Sequence, residues 1–362
     1  MKQYRNLLLA LPLIVLAGCN SSSNGTHKAK VNKPVADYKF TENALKETVS
    51  DRMDFLEGIR LTFDGAVYET TEFSEGFGSD EVLAKLVDSN GNKVDVLLSV
   101  DTGSCFVLPK NGALDGFDCS SNKRTVSGEQ TLIQSQTQNG KQEVLLEYYT
   151  NGIEEIGSIG STILTAVERD GRVDITTTFA FDDFFRLAGL NSDGSRANST
   201  LGLTTYLQLQ KIVNNHIGQE MTVKFDNHIG GSADDDINMY TGLLIHKNNM
   251  HTVVTKNGSV FSGGTDLFAA GKTRTLQRAK QLDNFETLEQ IGVHSWGSAD
   301  KTAKDFPYTD ESHRKQATYF NTVMGDKGID FYLFTLDSAP FNGQHWITKA
   351  DSDKYQFITN IE

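Results

Sequence analysis

The sequence predicts an α/β protein in which a mainly antiparallel, β-rich domain precedes a second domain built around a mostly parallel sheet. Short runs rich in β-branched and aromatic residues fill 51–180, and turn signals such as Asp170-Gly171 separate them. Further along, strand-like runs alternate with segments of helical periodicity, which is typical of βα units. A length of 362 residues is consistent with two domains.

The N-terminal segment MKQYRNLLLALPLIVLAGC predicts export from the cytoplasm. Two basic residues precede an apolar run that is too short to span a membrane, as in a secretory signal peptide over 1–18. LAGC resembles the bacterial lipoprotein box, which implies cleavage before Cys19 and a lipid on its thiol. Asn20 is not the aspartate associated with inner-membrane retention, so we expect a lipid-anchored envelope protein, at the outer membrane facing the periplasm if the cell is Gram-negative.

A polar tether and lead-in over 19–50 would join this anchor to the β-rich domain, expected over 51–190. Two cysteines remain, Cys105 and Cys119, and an oxidising compartment favours a disulfide between them. Closing a loop of that length contributes about 3 kcal/mol in the chain-entropy model.

The turn-rich stretch GLNSDGSRANS predicts the boundary with the second domain, expected over 191–362. The net charge of −13 argues against nucleic acid or anionic lipid as a partner, so membrane attachment is expected through the lipid alone.

Three motifs in the second domain lie where predicted strands end. NHIGGSADDD contains Gly231, VFSGGTDLFAAG carries Ser262 and Gly263 at the start of a helix, and IGVHSW ends in His294. Ligands of open α/β sheets bind at the carboxyl ends of strands. Glycine amides, a serine and a histidine meeting there are the groups that acyl transfer requires.

In their order, these motifs resemble the Clp-peptidase and crotonase superfamily from about residue 197 onward, and more closely a group of Clp-like periplasmic bacterial proteins. The resemblance implies a ββα superhelix. It also implies Ser262 as nucleophile, His294 as general base, and Gly231 and Gly263 as oxyanion donors. The expected substrate is a peptide or a small ester or amide, with no metal or other cofactor.

Two departures from that pattern concern the histidine. The connection from Ser262 to His294 is longer than usual, because TLQRAKQLDNFETLEQ is inserted. Gln344 stands where the family carries its aspartate, and a glutamine orients an imidazole without stabilising its positive charge. His345 is a nearby alternative orienter, and Asp337 and Asp351 are others by sequence alone.

The sequence therefore leaves two main functions open: a peptidase-like serine hydrolase, or a binding or scaffold lipoprotein that keeps the fold without the chemistry. A third follows from SVDTGSCFVLP, in which Asp101 begins an Asp-Thr-Gly turn similar to that of aspartic proteases. Those enzymes need two aspartates, so a second chain would have to supply the other.

Several of these residues also have purely structural explanations. Ser262 is placed to cap a helix, and a lone histidine such as His294 is often part of a core. The run from Asp234 to Asp236 is explained by a helix start, where the dipole favours acidic residues. Nothing in the sequence indicates the preferred substrate, the oligomeric state or the role of the β-rich domain.

Overall fold

The computed structural model describes residues 32–53, 58–63, 65–75, 81–100, 102–110, 116–118, 123–136, 143–149, 153–182, 199–279, 289–297 and 301–362. The signal segment with Cys19 lies outside these ranges, as do Asp101 and Cys119. The lipid anchor, the aspartic-protease site and the disulfide therefore stay predictions.

The β-rich region is one nine-stranded sheet with the order β6-β5-β4-β3-β2-β1-β9-β8-β7. Neighbouring strands pair antiparallel throughout, which confirms the predicted antiparallel character. The strands are β1 Arg60–Phe63, β2 Ala66–Glu75, β3 Glu81–Asp88, β4 Lys93–Ser99, β5 Cys105–Pro109, β6 Phe117–Asp118, β7 Lys123–Ser127, β8 Gln130–Gln136 and β9 Glu143–Tyr149.

The register of this sheet bears on the predicted disulfide. Cys105 is buried at the start of β5, and its neighbour Phe106 pairs with Asp118 in β6. Asp118 immediately precedes Cys119 in the sequence. Strands β5 and β6 are thus neighbours in one ladder, and the bridge to Cys119 stays a prediction.

The described part of the second region has eleven strands in two sheets, with the orders β10-β11-β13-β15-β17-β20 and β12-β14-β16-β18-β19. Their bounds are β10 Thr162–Arg169, β11 Arg172–Phe179, β12 Ser199–Leu201, β13 Glu220–Phe225, β14 His228–Ser232, β15 His251–Val254, β16 Ser259–Phe261, β17 Arg274–Leu276, β18 Ile291–Val293, β19 His345–Trp346 and β20 Asn360–Ile361.

The described helices are α1 Glu42–Met53, α2 Leu203–Asn215, α3 Asp235–Lys247, α4 Gly263–Ala269, α5 Glu311–Met324, α6 Gly328–Ser338 and α7 Lys349–Tyr355. Short 3₁₀ segments occur at Ile153–Ser158, Ala303–Asp305 and Gly325–Lys327. In the described part of the chain, no helix combines the length and apolar character needed to cross a bilayer.

A repeated strand–strand–helix unit organises the second region. The units β13-β14-α3, β15-β16-α4 and β17-β18-α5 each give their first strand to one sheet and their second strand to the other. Successive first strands pair in parallel, and so do successive second strands. This is the predicted ββα superhelix, and the fold class is confirmed.

The β10–β11 hairpin turns at Asp170 and Gly171. Its position in the sequence predicts that it belongs to the β-rich domain, but β11 pairs in parallel with β13, with Arg172 opposite Glu220. Both strands therefore extend the six-stranded sheet of the second region. The local sequence of a hairpin predicts its two strands and its turn, but it does not predict which sheet the hairpin joins.

The five-stranded sheet positions the candidate site. Parallel strands run in one direction, so their carboxyl ends share one edge of the sheet. At that edge β14 ends with Ser232, β16 is followed by Ser262, and β18 is followed by His294. The three motifs that the sequence analysis singled out are thereby brought together.

Candidate active site

Ser262 occupies a sharp turn between β16 and α4. Its backbone has φ 52° and ψ −120°, and a positive φ in a residue other than glycine costs about 1–3 kcal/mol. Both backbone polar groups of Ser262 are hydrogen-bonded: its N–H donates to Gly292 O at 3.1 Å, and its carbonyl oxygen accepts from Thr265 N at 2.8 Å. Ser262 is the N-cap residue, but its side chain makes no capping hydrogen bond. Helix capping therefore does not explain the hydroxyl.

The hydroxyl is bonded to His294. Nε2 of His294 lies 2.8 Å from Ser262 Oγ, and Nδ1 lies 2.6 Å from the backbone carbonyl oxygen of Phe341. A carbonyl only accepts, so the neutral ring carries its proton on Nδ1 and donates it to Phe341. Nε2 then presents a lone pair to the serine hydroxyl. This is the tautomer that a general base toward Ser262 requires.

The loop between α6 and β19 supplies the orienting group. Ser295 N donates to Ala339 O at 2.9 Å, so two successive residues of the histidine segment are bonded to this loop. The carbonyl of Phe341 fixes the ring as a carboxylate would, but it carries only a partial negative charge. Orientation is supplied here without the full charge stabilisation of an acid.

The predicted orienters do not fill this role. Gln344 is exposed, and Nε2 of His345 is 3.0 Å from Asp351 Oδ2. His345 is the cross-strand partner of Val293, so its side chain shares a sheet face with Val293 rather than with the next residue, His294. Asp337 is bonded to Lys304 at 2.8 Å.

The two predicted oxyanion glycines adjoin the serine. A Cβ at Gly231 would lie 3.7 Å from Ser262 Cβ and 3.9 Å from Ser262 Oγ, so a side chain there would occupy the space beside the hydroxyl. A Cβ at Gly263 would come within 2.7 Å of Cβ and Oγ of Ser232. Gly263 also opens α4, where the first amides lack an intrahelical acceptor.

The inserted connection does not separate the pair. Residues 280–288 lie outside the described ranges, but Gln290 is buried on the near side of that gap. Its Nε2 donates to Thr255 O and Gln277 O, at 3.0 Å each, and its Oε1 accepts from Ala279 N at 3.0 Å. Both ends of the insertion are fixed to the sheet, so the segment beyond it enters β18 in register.

Two acidic side chains have a raised pKa: Asp235, which the sequence explained only as part of a helix start, and Asp266, for which the sequence suggested no role. Asp235 accepts a short hydrogen bond from the Ser232 hydroxyl. Its pKa is raised from the ordinary value, first because protein surrounds the carboxyl group and then because Asp234 and Asp236 are near, although the residue keeps an exposed surface. Burial raises the pKa of Asp266 well above its usual range, and the charge of Asp235 adds to this effect.

The run of three aspartates does begin a helix, as expected. Asp234 is the N-cap of α3 and accepts from Ile237 N at 3.0 Å. Neighbours in that turn differ by about 100° around the helix axis, so only the fold distinguishes Asp235 from the aspartates on either side. The local sequence carried no signal that separates them.

An aromatic network fixes the segment after His294. The Phe261 ring lies 4.8 Å from the His294 ring. Trp296 Nε1 donates to the Tyr332 hydroxyl at 2.9 Å, and that hydroxyl is 2.7 Å from Nδ1 of His313. Nε2 of His313 lies 2.9 Å from Ala303 O, and burial lowers the pKa of His313.

No group of three or more potential ligand side chains that could hold a metal ion occurs in the described ranges. The expected absence of a metal or other cofactor stays a prediction.

Comparisons with known proteins gave no matching family model and no matching curated protein. Solved structures similar to this chain include an enoyl-CoA hydratase from Geobacillus kaustophilus HTA426, with 12% identity over 55% of this chain and 67% of that one and a TM-score of 0.34. Pseudomonas aeruginosa DspI is 10% identical over 55% of this chain and 68% of its own, with a TM-score of 0.35. An enoyl-CoA hydratase from Bacillus anthracis is 12% identical over 55% of this chain and 69% of its own, with a TM-score of 0.32. These neighbours have the enoyl-CoA hydratase/crotonase fold, the fold that the motifs resemble.

Proposed function

We propose that this protein is a serine hydrolase that acts on peptide, ester or amide bonds. One observation carries the proposal: the Ser262 hydroxyl lies 2.8 Å from Nε2 of a histidine whose other nitrogen is bonded to a carbonyl. Nucleophile, base and orienter thus form one chain of hydrogen bonds. The strained turn at Ser262, between a strand and a helix, is the backbone geometry that exposes nucleophiles in other hydrolases.

The reaction would proceed through an acyl-enzyme. His294 Nε2 takes the proton of Ser262 as Oγ attacks the substrate carbonyl, and the amides of Gly231 and Gly263 bind the developing oxyanion. The imidazolium then protonates the leaving amine or alcohol. Water, activated by the same nitrogen, hydrolyses the acyl-serine. Each oxyanion donor is worth about 3–4 kcal/mol of barrier.

The orienting carbonyl sets an expectation for the rate. Changing the acid of a Ser-His-Asp triad to an amide lowers turnover by about 10⁴ through the wrong tautomer. Phe341 O preserves the tautomer, and only the full charge is missing at Nδ1. We therefore expect turnover slower than that of a triad enzyme, but well above that of a variant without the histidine.

The proposed location is the cell envelope, with the protein anchored by a lipid on Cys19 and facing the periplasm. The similar solved structures named above include enoyl-CoA hydratases. Acyl-CoA thioesters are cytoplasmic, so export of this chain favours peptide or ester substrates. Mass spectrometry of the membrane-extracted protein would test the anchor, and an unmodified Cys19 would contradict it.

A non-catalytic binding or scaffold lipoprotein is the second candidate. It is favoured by one observation: the group on Nδ1 of His294 is a carbonyl instead of a carboxylate. The strained backbone of Ser262, with φ 52° and no capping hydrogen bond from its side chain, argues against it, because strain of this kind is maintained at functional sites. The aspartic-protease alternative depends on Asp101, which lies outside the described residues.

Labelling with a fluorophosphonate probe tests the proposal. We expect Ser262 of the purified protein to be labelled, and labelling to disappear in Ser262→Ala and His294→Ala. The chain contains a matched control, since Ser259 Oγ lies 2.5 Å from Nδ1 of His228. Ser259→Ala should be labelled like the natural protein. A folded natural protein that takes up no probe would overturn the hydrolase assignment in favour of the binding protein.

A further inference from the structure

A cavity of about 280 Å³ lies between the start of α3, the segment after His294 and the start of α5. Its lining includes Asp235, Asp236, Met239, Trp296, Ser312 and Lys315. It adjoins the candidate active site, because Asp235 is bonded to the Ser232 hydroxyl, and Ser232 lies against Gly263. A substrate held at Ser262 can therefore extend a side chain into this cavity.

The three aspartates at its wall differ in what they bind. Asp234 caps the helix through Ile237 N. Asp236 accepts from Lys315 Nζ at 3.0 and 3.1 Å, and Glu311 also contacts that lysine, at 3.2 Å. Asp235 accepts only from the Ser232 hydroxyl and has no ion pair with a cation in the described part of the chain. Asp235 therefore lines the cavity without an ion-pair partner among the described side chains, and the charge of His294 acts on it only from a distance.

A second unsatisfied acceptor lies on the same helix, independent of the aspartates. Asn238 is 2% exposed, and its Nδ2 donates to Gly263 O at 3.0 Å. Its Oδ1 has no hydrogen-bond partner among the described residues. Asn238 does not line the cavity, so Asp235 remains the acceptor without a paired cation at the cavity wall.

We propose that this cavity selects substrates that carry a cationic group, an ammonium or a guanidinium, on the residue next to the scissile carbonyl. Such groups are hydrogen-bond donors only, which suits Asp235. Trp296 supplies an aromatic ring at the cavity wall, and indole faces attract cations. Asp235 is then the specificity-determining residue, and an acidic side chain is excluded by repulsion. The inference rests on the proposed hydrolase function.

Paired substrates of matched size test the selection. Blocked lysine and norleucine p-nitrophenyl esters differ by a terminal ammonium in place of a methyl group. We expect kcat/KM to favour lysine by about tenfold, which is the effect of one hydrogen bond to a charged group, and the ratio to fall to about one in Asp235→Asn. Asp234→Asn is the matched control, because asparagine caps helices as well as aspartate does. It removes a charge from the same turn and should retain the preference.

Binding to the inactive Ser262→Ala variant separates this inference from the hydrolase function. Benzamidine should bind more tightly than the neutral isostere benzamide in calorimetry, and Asp235→Asn in that background should abolish the difference. Dependence of benzamidine binding on Asp235 without any esterase activity would retain the cation site and remove the hydrolase. Equal binding of the two compounds, or a benzamidine preference that survives Asp235→Asn, would overturn the inference whatever the activity.

Discussion

Two serine–histidine pairs lie at opposite ends of the five-stranded sheet, with their serines at either end of β16, and they are built differently. Ser259 and His228 are cross-strand partners at the starts of β16 and β14, and their side chains are 2.5 Å apart. Ser262 and His294 follow the ends of β16 and β18 at 2.8 Å. A short contact distance is therefore shared by both pairs and does not by itself mark a nucleophile.

The backbone around each serine is what separates them. Ser259 is a buried strand residue in a regular parallel ladder. Ser262 has a positive φ, precedes a helix and adjoins two glycines. Attack on a carbonyl needs an approachable hydroxyl and donors for the oxyanion, and only the carboxyl ends of these strands offer both. The nucleophilic reactivity of the serine in each serine–histidine pair therefore depends on the end of the strand at which the pair lies.

The largest expected effect compares the two histidines. His294→Ala should lower kcat by about 10⁴–10⁶, since removing the base of a hydrolase abolishes nearly all chemical catalysis. His228→Ala should change kcat by less than about threefold. Steady-state hydrolysis of an activated ester measures both. Comparable losses in the two variants would contradict the assignment of Ser262 and His294.

The next effect concerns the glycine after the serine. Gly263→Ala would bring a methyl group within 2.7 Å of Ser232 and displace the amide that faces the oxyanion. We expect a loss of about 10²-fold or more in kcat with a smaller change in KM. Gly157→Ala is a useful reference for stability, because Gly157 has no positive φ and a Cβ there meets nothing within 4 Å. A fully active Gly263→Ala enzyme would remove Gly263 from the oxyanion site.

The β-rich region offers a test that should leave the site unaffected. If Cys105 and Cys119 are bridged, Cys105→Ser should lower the free energy of unfolding by about 3 kcal/mol. Probe labelling at Ser262 should persist, because β5 belongs to the other sheet. Peptide mapping without reductant shows whether the bridge exists. Finding both thiols free in protein from an oxidising compartment would disprove it.

The smallest expected effect is a pH dependence of stability from His313. Burial lowers the pKa of this ring, so the folded state favours its neutral form, while the unfolded chain takes up a proton near pH 6.5. The stabilising contribution is therefore complete above pH 6.5 and is lost as the pH falls through the folded-state pKa. Urea titrations at pH 7.5 and 5.5 should show this loss in the natural protein. His313→Gln should reduce the slope, and the control His246→Gln should keep it.

The sequence was sufficient for features that depend on local pattern. Helix and strand periodicity predicted βα units around a mostly parallel sheet, and the family resemblance implied the ββα repeat. The residues flanking the ends of β14, β16 and β18 predicted which groups meet at one sheet edge. This follows from the rule that parallel strands share their carboxyl edge. Ser262 and His294 were brought together from positions far apart in the chain for this reason.

The orienter could not be predicted, because it is a backbone carbonyl. Every residue has one, so Phe341 carries no side-chain signal for the role, whereas Gln344 and His345 do. The β10–β11 hairpin raises the same difficulty for domains. The sheet that the hairpin joins is decided by its pairing with β13, which follows α2 in the sequence. No local pattern in the hairpin identifies β13 as the partner.

Helix α2 has a consequence for how this chain unfolds. Leu203 and Tyr206 at its start are buried with the apolar residues of the nine-stranded sheet, whereas Leu209 in the next turn is buried in the core of the second region. Within α3, Ile237 and Met239 divide in the same way. Separating the two regions would strip apolar surface from both, so they should melt in a single cooperative transition. An isolated fragment of either region should aggregate instead of folding alone.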